Sequence, residues 1–138
     1  MASVTRSRFI DAPPDIVERV ITADIAALMQ AANYDSVRFE GDRLELEQTL
    51  GLASLSLTLR QIDDADATLA FEQVDGHFER MVTEYDVEPS DGGTTVSART
   101  EFTLGGIPGS VLDETLVRRQ RGRELEAQLE YVERVVHQ

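Results

Sequence analysis

A period of two in the apolar and polar residues of successive segments between positions 36 and 104 is the feature that most restricts the fold. In ASLSLTLRQI (53–62), Leu55, Leu57 and Leu59 alternate with small hydroxyl residues, which places the three leucines on one face of a β-strand. Related patterns occupy residues 36–40, 43–50, 68–74, 78–89 and 94–104. Short Gly- and Asp-containing turns separate them, and hairpin-length connections predict an antiparallel sheet.

The remaining residues predict one further strand and three helices. Residues 3–9 have a short, partly β-branched strand pattern, which Pro13 and Pro14 end. These prolines suit the first turn of a helix, and a second short helix is predicted over 24–32 with Asp24 as its cap. Seven strands, two short helices and a long C-terminal helix make an α+β fold, predicted as a single domain over residues 1–138.

The last helix is predicted from about Val111 to about Val136. Ser110 begins the capping-box-like sequence Ser-Val-Leu-Asp, so it is the predicted cap. Asp113 then falls in the first turn, where a negative charge favours the positive end of the helix dipole.

The apolar stripe of this helix predicts which side faces the sheet. Its surest members are Leu125, Leu129, Val132 and Val136. Followed backwards by threes and fours, the stripe passes through Gly122, Arg118 and Thr115. Burial of an unpaired arginine is costly, so Arg118 should meet a carboxylate, water or a ligand. Because Gly122 leaves a hollow, the pattern predicts a cavity under the first half of the helix.

Other interpretations of the same helix remain open. Arg118 can instead reach the rim and be solvated there. Leu112 and Leu116 form a rival apolar stripe, which a kink or rotation near Gly122 would turn inward. The polar groups inside the sheet can also satisfy one another in a solid core.

The strands place a few polar groups on the predicted inner face. The inward sets are Leu44, Leu46, Gln48 and Leu50; Leu69, Phe71 and Gln73; Met81, Thr83, Tyr85 and Val87; and Val96, Ala98, Thr100 and Phe102. Apolar walls with few hydroxyls or amides are typical of small-molecule sites. The predicted ligand-binding residues are therefore Phe71, Gln73, Thr83, Tyr85, Thr100, Phe102, Thr115, Arg118 and Gly122.

The charge balance limits the partners. The chain has 26 Asp and Glu against 13 Arg and no Lys, for a net charge of −13, which disfavours nucleic acid and anionic membranes. Two alternative interpretations of this composition stay open: arginine-rich codon usage in a G+C-rich genome, or adaptation to high salt. With no cysteine and no segment of membrane-spanning length, we expect a cytoplasmic protein, a monomer or a weak homodimer.

Few residues are suited to catalysis or metal binding. His77 follows the Asp75-Gly76 turn and is expected in solvent or at the mouth of a pocket, whereas His137 lies at the chain end. The spacing of these histidines, and of the carboxylates in DDADA (63–67), suits neither zinc nor calcium, so no metal or cofactor is expected. Tyr85 and Arg118 are the candidates for catalysis, with Thr83, since an arginine beside a tyrosine can stabilise an enolate.

Two loose motifs and the order of elements carry a resemblance to a known superfamily. The motifs are APP (12–14) followed by Val17, and DGGTTV (91–96). With them the whole chain resembles the START-like (SRPBCC) helix-grip superfamily, which includes polyketide cyclase/dehydrase-like and plant lipid-binding proteins. The resemblance implies a curved sheet that grips the last helix around a deep hydrophobic pocket. Many relatives carry a tryptophan in the first helix, where Glu18 stands here.

In this superfamily the pocket lies against the earlier part of the last helix, which maps onto Thr115, Arg118 and Gly122. The expected function is therefore binding or carriage of a hydrophobic small molecule of lipid, polyketide or aromatic type. One alternative is a polyketide cyclase/dehydrase-type enzyme. The other is a protein-interaction module, for which Leu112 and Leu116 would form the exposed patch.

Overall fold

The computed structural model describes residues 1–50, 52–64, 66–105 and 113–138. Its elements are, in chain order, β1 (Ala2–Ile10), α1 (Pro14–Ala23), α2 (Ile25–Gln30), β2 (Ser36–Glu40), β3 (Arg43–Leu50), β4 (Ala53–Ile62), β5 (Leu69–Asp75), β6 (Phe78–Ser90), β7 (Gly93–Leu104) and α3 (Glu114–Val136). Each predicted strand is present, with ends about one residue from the predicted ones.

The strands form one seven-stranded antiparallel sheet in the order β1-β7-β6-β5-β4-β3-β2. Helix α3 packs across β1 and β7, and α1 and α2 lie beside it. The predicted α+β helix-grip architecture is therefore confirmed.

The core lies between the sheet and the helices because the period-two pattern turns one face of each strand inward. On β3 and β4, Leu46 is opposite Leu57 and Leu44 is opposite Leu59, and all four are buried. Burial of one leucine side chain stabilises the fold by about 1.5–3 kcal/mol. A shift of one residue in the pairing would turn these leucines to solvent, so burial also determines the register.

Turn residues connect the strands where the sequence predicts turns. Ser90 is opposite Gly93 at the end of β6 and β7, and the two residues between them, Asp91 and Gly92, have φ angles of 45° and 82°. Positive φ at both central residues is the requirement of a type I′ hairpin turn, which Asp-Gly meets at little steric cost.

The helix caps agree with the sequence for α2 but not for α3. The carboxylate of Asp24 accepts from the Ala27 amide at 3.0 Å, as predicted. Helix α3 begins at Glu114 and not at Val111, because Asp113 has extended backbone angles and accepts from the Leu116 amide at 2.7 Å. Asp113 is therefore the cap itself, and Ser110 lies outside the described residues. In the described ranges no helix is long and apolar enough to span a membrane.

At one end of the sheet β5 and β6 part from each other. Their pairing runs from Leu69 opposite Tyr85 to Glu72 opposite Val82. Beyond that point β5 continues along β4 and β6 continues along β7, each across a shift in register. Such bulges bend strands and re-aim side chains. The turn that joins β5 to β6, with His77, is thereby held away from a regular ladder.

Candidate functional site

The first half of α3 presents a different face to the sheet from the one that the apolar stripe predicted. Arg118 is exposed, and its Nε lies 3.9 Å from Glu114 Oε2 on the outer side of the helix. The prediction that Arg118 faces a cavity is wrong. From Leu125, two steps of four residues lead to Arg121 and Val117, and these are the residues that are buried.

Thr115 and Gly122 likewise do not line a hollow. Thr115 is exposed. Gly122 is buried, but a Cβ added there would lie 2.5 Å from Nη2 of Arg6 on β1. The absent side chain therefore makes room for the guanidinium of Arg6 and not for a ligand.

Arg121 is the arginine that enters the interior, where it is only 8 % exposed. Its Nη1 donates to Glu124 Oε1 and, at 3.2 Å, to the Tyr34 hydroxyl. Its Nη2 donates to Thr83 Oγ1 at 2.9 Å. Burial alone lowers the pKa of Arg121, but nearby Tyr34 and Glu124 outweigh it, so the pKa lies above its ordinary value. Arg121 is therefore a buried cation with matched partners.

Glu124 is 2 % exposed and accepts hydrogen bonds on both carboxylate oxygens. Oε1 accepts from Arg121 and from the Tyr34 hydroxyl at 2.9 Å. Oε2 accepts from Gln48 Nε2 and, at 3.1 Å, from Gln120 Nε2. A carboxylate has about four lone-pair sites, so these four donors occupy the acceptor capacity of Glu124.

The polar residues on the inner face of the sheet are mostly engaged with one another. Thr83 Oγ1 donates to Thr100 Oγ1 at 3.0 Å, and Thr100 donates to the Val82 carbonyl at 3.3 Å. The Tyr85 hydroxyl donates to Gln128 Oε1 at 2.7 Å. Burial raises the pKa of Tyr85 to about 12. These hydroxyls are part of a packed core, as the solid-core interpretation expected.

Three further predicted ligand-binding residues are structural. Phe71 and Phe102 are buried in the hydrophobic core. The side chain of Gln73 bridges the parted ends of β5 and β6: its Nε2 donates to the Phe78 carbonyl at 2.7 Å, and its Oε1 accepts from the Phe78 amide at 3.1 Å. Gln73 thus replaces backbone pairing that the bulges interrupt, and it positions the turn that carries His77.

A small cavity lies beside the Arg121–Glu124 pair. It is lined by Tyr34, Gln48, Leu50, Leu57, His77, Phe78, Val117, Gln120, Arg121 and Glu124. Its volume is about 10 Å³, which is enough for roughly one water molecule. None of the nine predicted ligand-binding residues is among these lining residues. In the part of the chain that the structure describes, side chains of the protein itself fill the space in which the resemblance implied a deep pocket.

Two buried nitrogens at this cavity lack a hydrogen-bond partner among the described residues: Arg121 Nε and His77 Nδ1. Burial lowers the pKa of His77 to about 4, so the imidazole is neutral at pH 7. An unsatisfied buried polar group costs about 1–3 kcal/mol, and native proteins keep few of them. An oxygen atom held in the cavity is the kind of partner that such nitrogens require.

Tyr34, in the segment between α2 and β2, contacts both Arg121 and Glu124 through its hydroxyl. Its side chain is partly exposed as a whole, but the loss of water around its hydroxyl, and then the charge of Glu124, raise its pKa well above the usual value. The hydroxyl stays protonated near neutral pH and acts as a donor to Glu124. No group of His, Asp and Glu in the described ranges is arranged to hold a metal ion.

Sequence reasoning missed most of these residues. Gln48 was placed correctly on the inner face of β3, and His77 was expected at a pocket mouth as one of two options. The pair Arg121 and Glu124 had a local signal, since residues three apart share a helix face. No local signal indicated Tyr34, because its role depends on a hydrogen bond to Glu124, which lies 90 residues away in the sequence.

The chain is similar to a known protein family in sequence and to several solved structures in fold. A family model described as "Polyketide cyclase / dehydrase and lipid transport" matches residues 1–137. No curated protein sequence matches the chain. Among solved structures, a protein of Thermus thermophilus is 24 % identical with a TM-score of 0.77, over 98 % of this chain and 97 % of that one.

Two other solved structures share the fold at lower identity. A START superfamily protein from Mycobacterium smegmatis is 14 % identical, with a TM-score of 0.74 over 98 % of this chain and 97 % of that one. The Zhui aromatase/cyclase of a Streptomyces species is 20 % identical, with a TM-score of 0.74 over 98 % and 95 % of the two chains. At these identities the likeness extends to the fold.

Proposed function

Because the chain belongs to the polyketide cyclase/dehydrase and lipid transport family, we propose that it binds and carries a small, mostly apolar molecule at the cavity beside Arg121. The observation that carries this proposal concerns two buried nitrogens, Arg121 Nε and His77 Nδ1, which lack a partner among the described residues and belong to side chains that line one cavity. A bound oxygen atom within hydrogen-bond distance of either nitrogen would relieve the cost of leaving it unsatisfied.

The walls of the cavity support an apolar body for the ligand. Leu50, Leu57, Phe78 and Val117 line it from three strands and α3, and each is at most 6 % exposed. Apolar walls with a few convergent polar groups are the usual composition of a small-molecule site. The ligand would direct its polar end at Arg121 and bury its body against these four side chains.

The present volume requires the cavity to open during binding. About 10 Å³ accepts one oxygen-sized group, whereas pockets for drug-sized ligands enclose roughly 300–1,000 Å³. The end of the β5–β6 hairpin is the element suited to move, because the side chain of Gln73 holds it where the ladder is interrupted. Opening costs free energy, so the measured affinity falls below that of an open site.

The two alternative functions find less support in the geometry. Catalysis by Tyr85 with Arg118 needs both groups at one site, but Tyr85 is bonded to Gln128 in the core and Arg118 is on the outer face of α3. An interaction module needs an exposed apolar patch, but Leu116 is partly buried against the core. Leu112 lies outside the described residues.

The proposal is tested by NMR with octanol as a neutral amphipathic probe. Octanol should shift the amide signals of cavity residues such as Leu57, His77 and Val117, and leave the far half of α3, around Val132, unchanged. Native mass spectrometry of the purified protein shows in parallel whether a natural ligand accompanies it.

A matched pair of variants provides the control. Val117→Thr and Val132→Thr make the same change at buried positions of one helix, but only Val117 lines the cavity. Both should lose similar stability, and only Val117→Thr should weaken octanol binding. Equal affinity in the two variants, or shifts centred away from the cavity, would contradict the proposal.

A further inference from the structure

We propose that the ligand presents a neutral oxygen, a hydroxyl or a carbonyl, to this cavity and that carboxylates and phosphates are excluded. This inference rests on the proposed function and narrows its chemical class. It follows from the ion pair and the hydrogen bonds that Arg121 already makes within the protein.

The charge of Arg121 is matched within the protein. Its guanidinium contacts Glu124, and both residues are more than nine-tenths buried. Among the other residues that line the cavity, His77 is neutral at pH 7 because burial lowers its pKa to about 4. An anionic ligand would bring an unmatched negative charge close to Glu124 in a poorly solvated interior, which is strongly unfavourable.

Glu124 cannot readily turn away to release Arg121 for an anion. Tyr34, Gln48 and Gln120 donate to its oxygens together with Arg121. Displacement of the carboxylate would deprive these three partly buried donors of their acceptor as well as breaking the contact with Arg121. The ion pair is therefore part of the fixed wall of the site.

Arg121 has few donors left with which to bind an acid group. Arginine recognises carboxylates and phosphates with two parallel N–H groups. In Arg121 the end of the guanidinium is engaged, Nη1 with Glu124 and Tyr34 and Nη2 with Thr83, whereas Nε lacks a partner among the described residues. A carbonyl can accept from Nε. A hydroxyl can accept from Nε and also donate to His77 Nδ1.

The test compares matched probes on the unaltered protein by isothermal titration calorimetry at neutral pH. Octanol against octanoate provides a flexible pair, and naphthol against naphthoate provides a planar pair. Each neutral probe should bind at least about tenfold more tightly than its acid, a difference of about 1.4 kcal/mol. Equal or tighter binding of the acids overturns the inference while the proposed function stands. Binding of neither kind of probe overturns both.

The general negative charge of the protein needs a separate control. A net charge of −13 repels anions from the whole surface, but about 1 M KCl reduces the screening length to about 3 Å. A preference that arises at the buried pair should persist in this salt. A preference that disappears there belongs to the surface charge and overturns the inference.

Substitution of the buried carboxylate provides a further measurement. Glu124→Gln leaves Arg121 unmatched and should reduce the preference for octanol over octanoate at least about tenfold. Glu126→Gln removes the same charge from an exposed position on the same helix and should leave the preference unchanged. An equal effect of both variants overturns the inference, and if Glu124→Gln does not fold, the matched probes on the unaltered protein decide.

Discussion

The guanidinium of Arg6 lies directly against Gly122, so that a methyl group added to this glycine would come within 2.5 Å of Arg6 Nη2. The contact involves the far end of a flexible side chain, which can move. Alanine in a helix is favoured over glycine by about 1 kcal/mol. We expect Gly122→Ala to leave the free energy of unfolding unchanged or to raise it by up to about 1 kcal/mol, and to leave octanol binding intact. Urea denaturation and calorimetry measure the two effects.

Gly93 provides the opposite case. A Cβ at this position would lie 2.6 Å from the backbone oxygen of Ile10 and 2.7 Å from the ring of Phe9. A strand backbone in a paired sheet cannot move aside as a side chain can. Gly93→Ala should therefore lower the free energy of unfolding by about 1–3 kcal/mol. Equal stability of the Gly93→Ala and Gly122→Ala proteins would contradict this assignment.

Substitution of Arg118 and substitution of Arg121 should have different effects on the free energy of unfolding. Arg118 is exposed and 3.9 Å from its partner Glu114, so Arg118→Gln should change the free energy of unfolding by about 0.5 kcal/mol or less. Arg121→Gln leaves Glu124 buried without its cation and should cost about 3–5 kcal/mol. Urea denaturation of the two variants, which make the same change one turn apart, measures the difference. Equal losses would mean that the helix phase is wrong.

His77 should make stability fall in mild acid. Its pKa is lowered from 6.5 to about 4 by burial, so between these values the unfolded chain binds a proton that the folded chain does not. Stability is then lost as the pH falls through this window. Since the side chain is only half-buried, we expect a loss of about 1–2 kcal/mol. Urea denaturation of His77→Gln should lack this component, whereas His137→Gln, at the exposed chain end, should retain it.

The acidic surface should make the protein more stable in salt. Burial and the neighbouring Asp64 both raise the pKa of Glu84, and Asp86 is affected similarly, which indicates crowded carboxylates on β6. Screening of this repulsion should raise the melting temperature between low salt and about 1 M KCl. Asp64→Asn should be more stable than the parent chain at low salt, and the advantage should shrink in KCl. A melting temperature that does not rise would argue against adaptation to high salt.

The strands were predictable because the period of two in the sequence matches the alternation of buried and exposed side chains along each strand. Only one register of the strand pairing buries Leu57 and Leu59, and the Asp91-Gly92 sequence permits the tight hairpin turn between β6 and β7. The start of α3 was not predictable in this way, because Ser110 and Asp113 are both acceptable cap residues in the sequence, and Asp113 is the one whose carboxylate accepts from the Leu116 amide.

The phase of α3 failed for a related reason. Towards the start of the helix, the face that contains Leu125 can continue through Gly122 and Arg118 or through Arg121 and Val117. Hydropathy favours neither arginine as the buried one. The choice is made by partners on other elements: Thr83 on β6 accepts from Arg121, and Tyr34 after α2 shares Glu124 with it. A helix pattern can show that one arginine is buried, but distant residues determine which one.

The amide of Gln73 has a consequence for kinetics. It joins two strand ends through one side chain, so we expect that this corner of the protein can detach and reattach while the β5–β6 pairing from Leu69 to Glu72 stays intact. Two such bonds and the burial of Phe78 amount to a few kcal/mol, which leaves a detached form at roughly 0.1–10 %, against the 5–15 kcal/mol typical of complete unfolding. Residence time of a cargo would then be governed by this corner, and thermostabilising changes elsewhere would not prolong it.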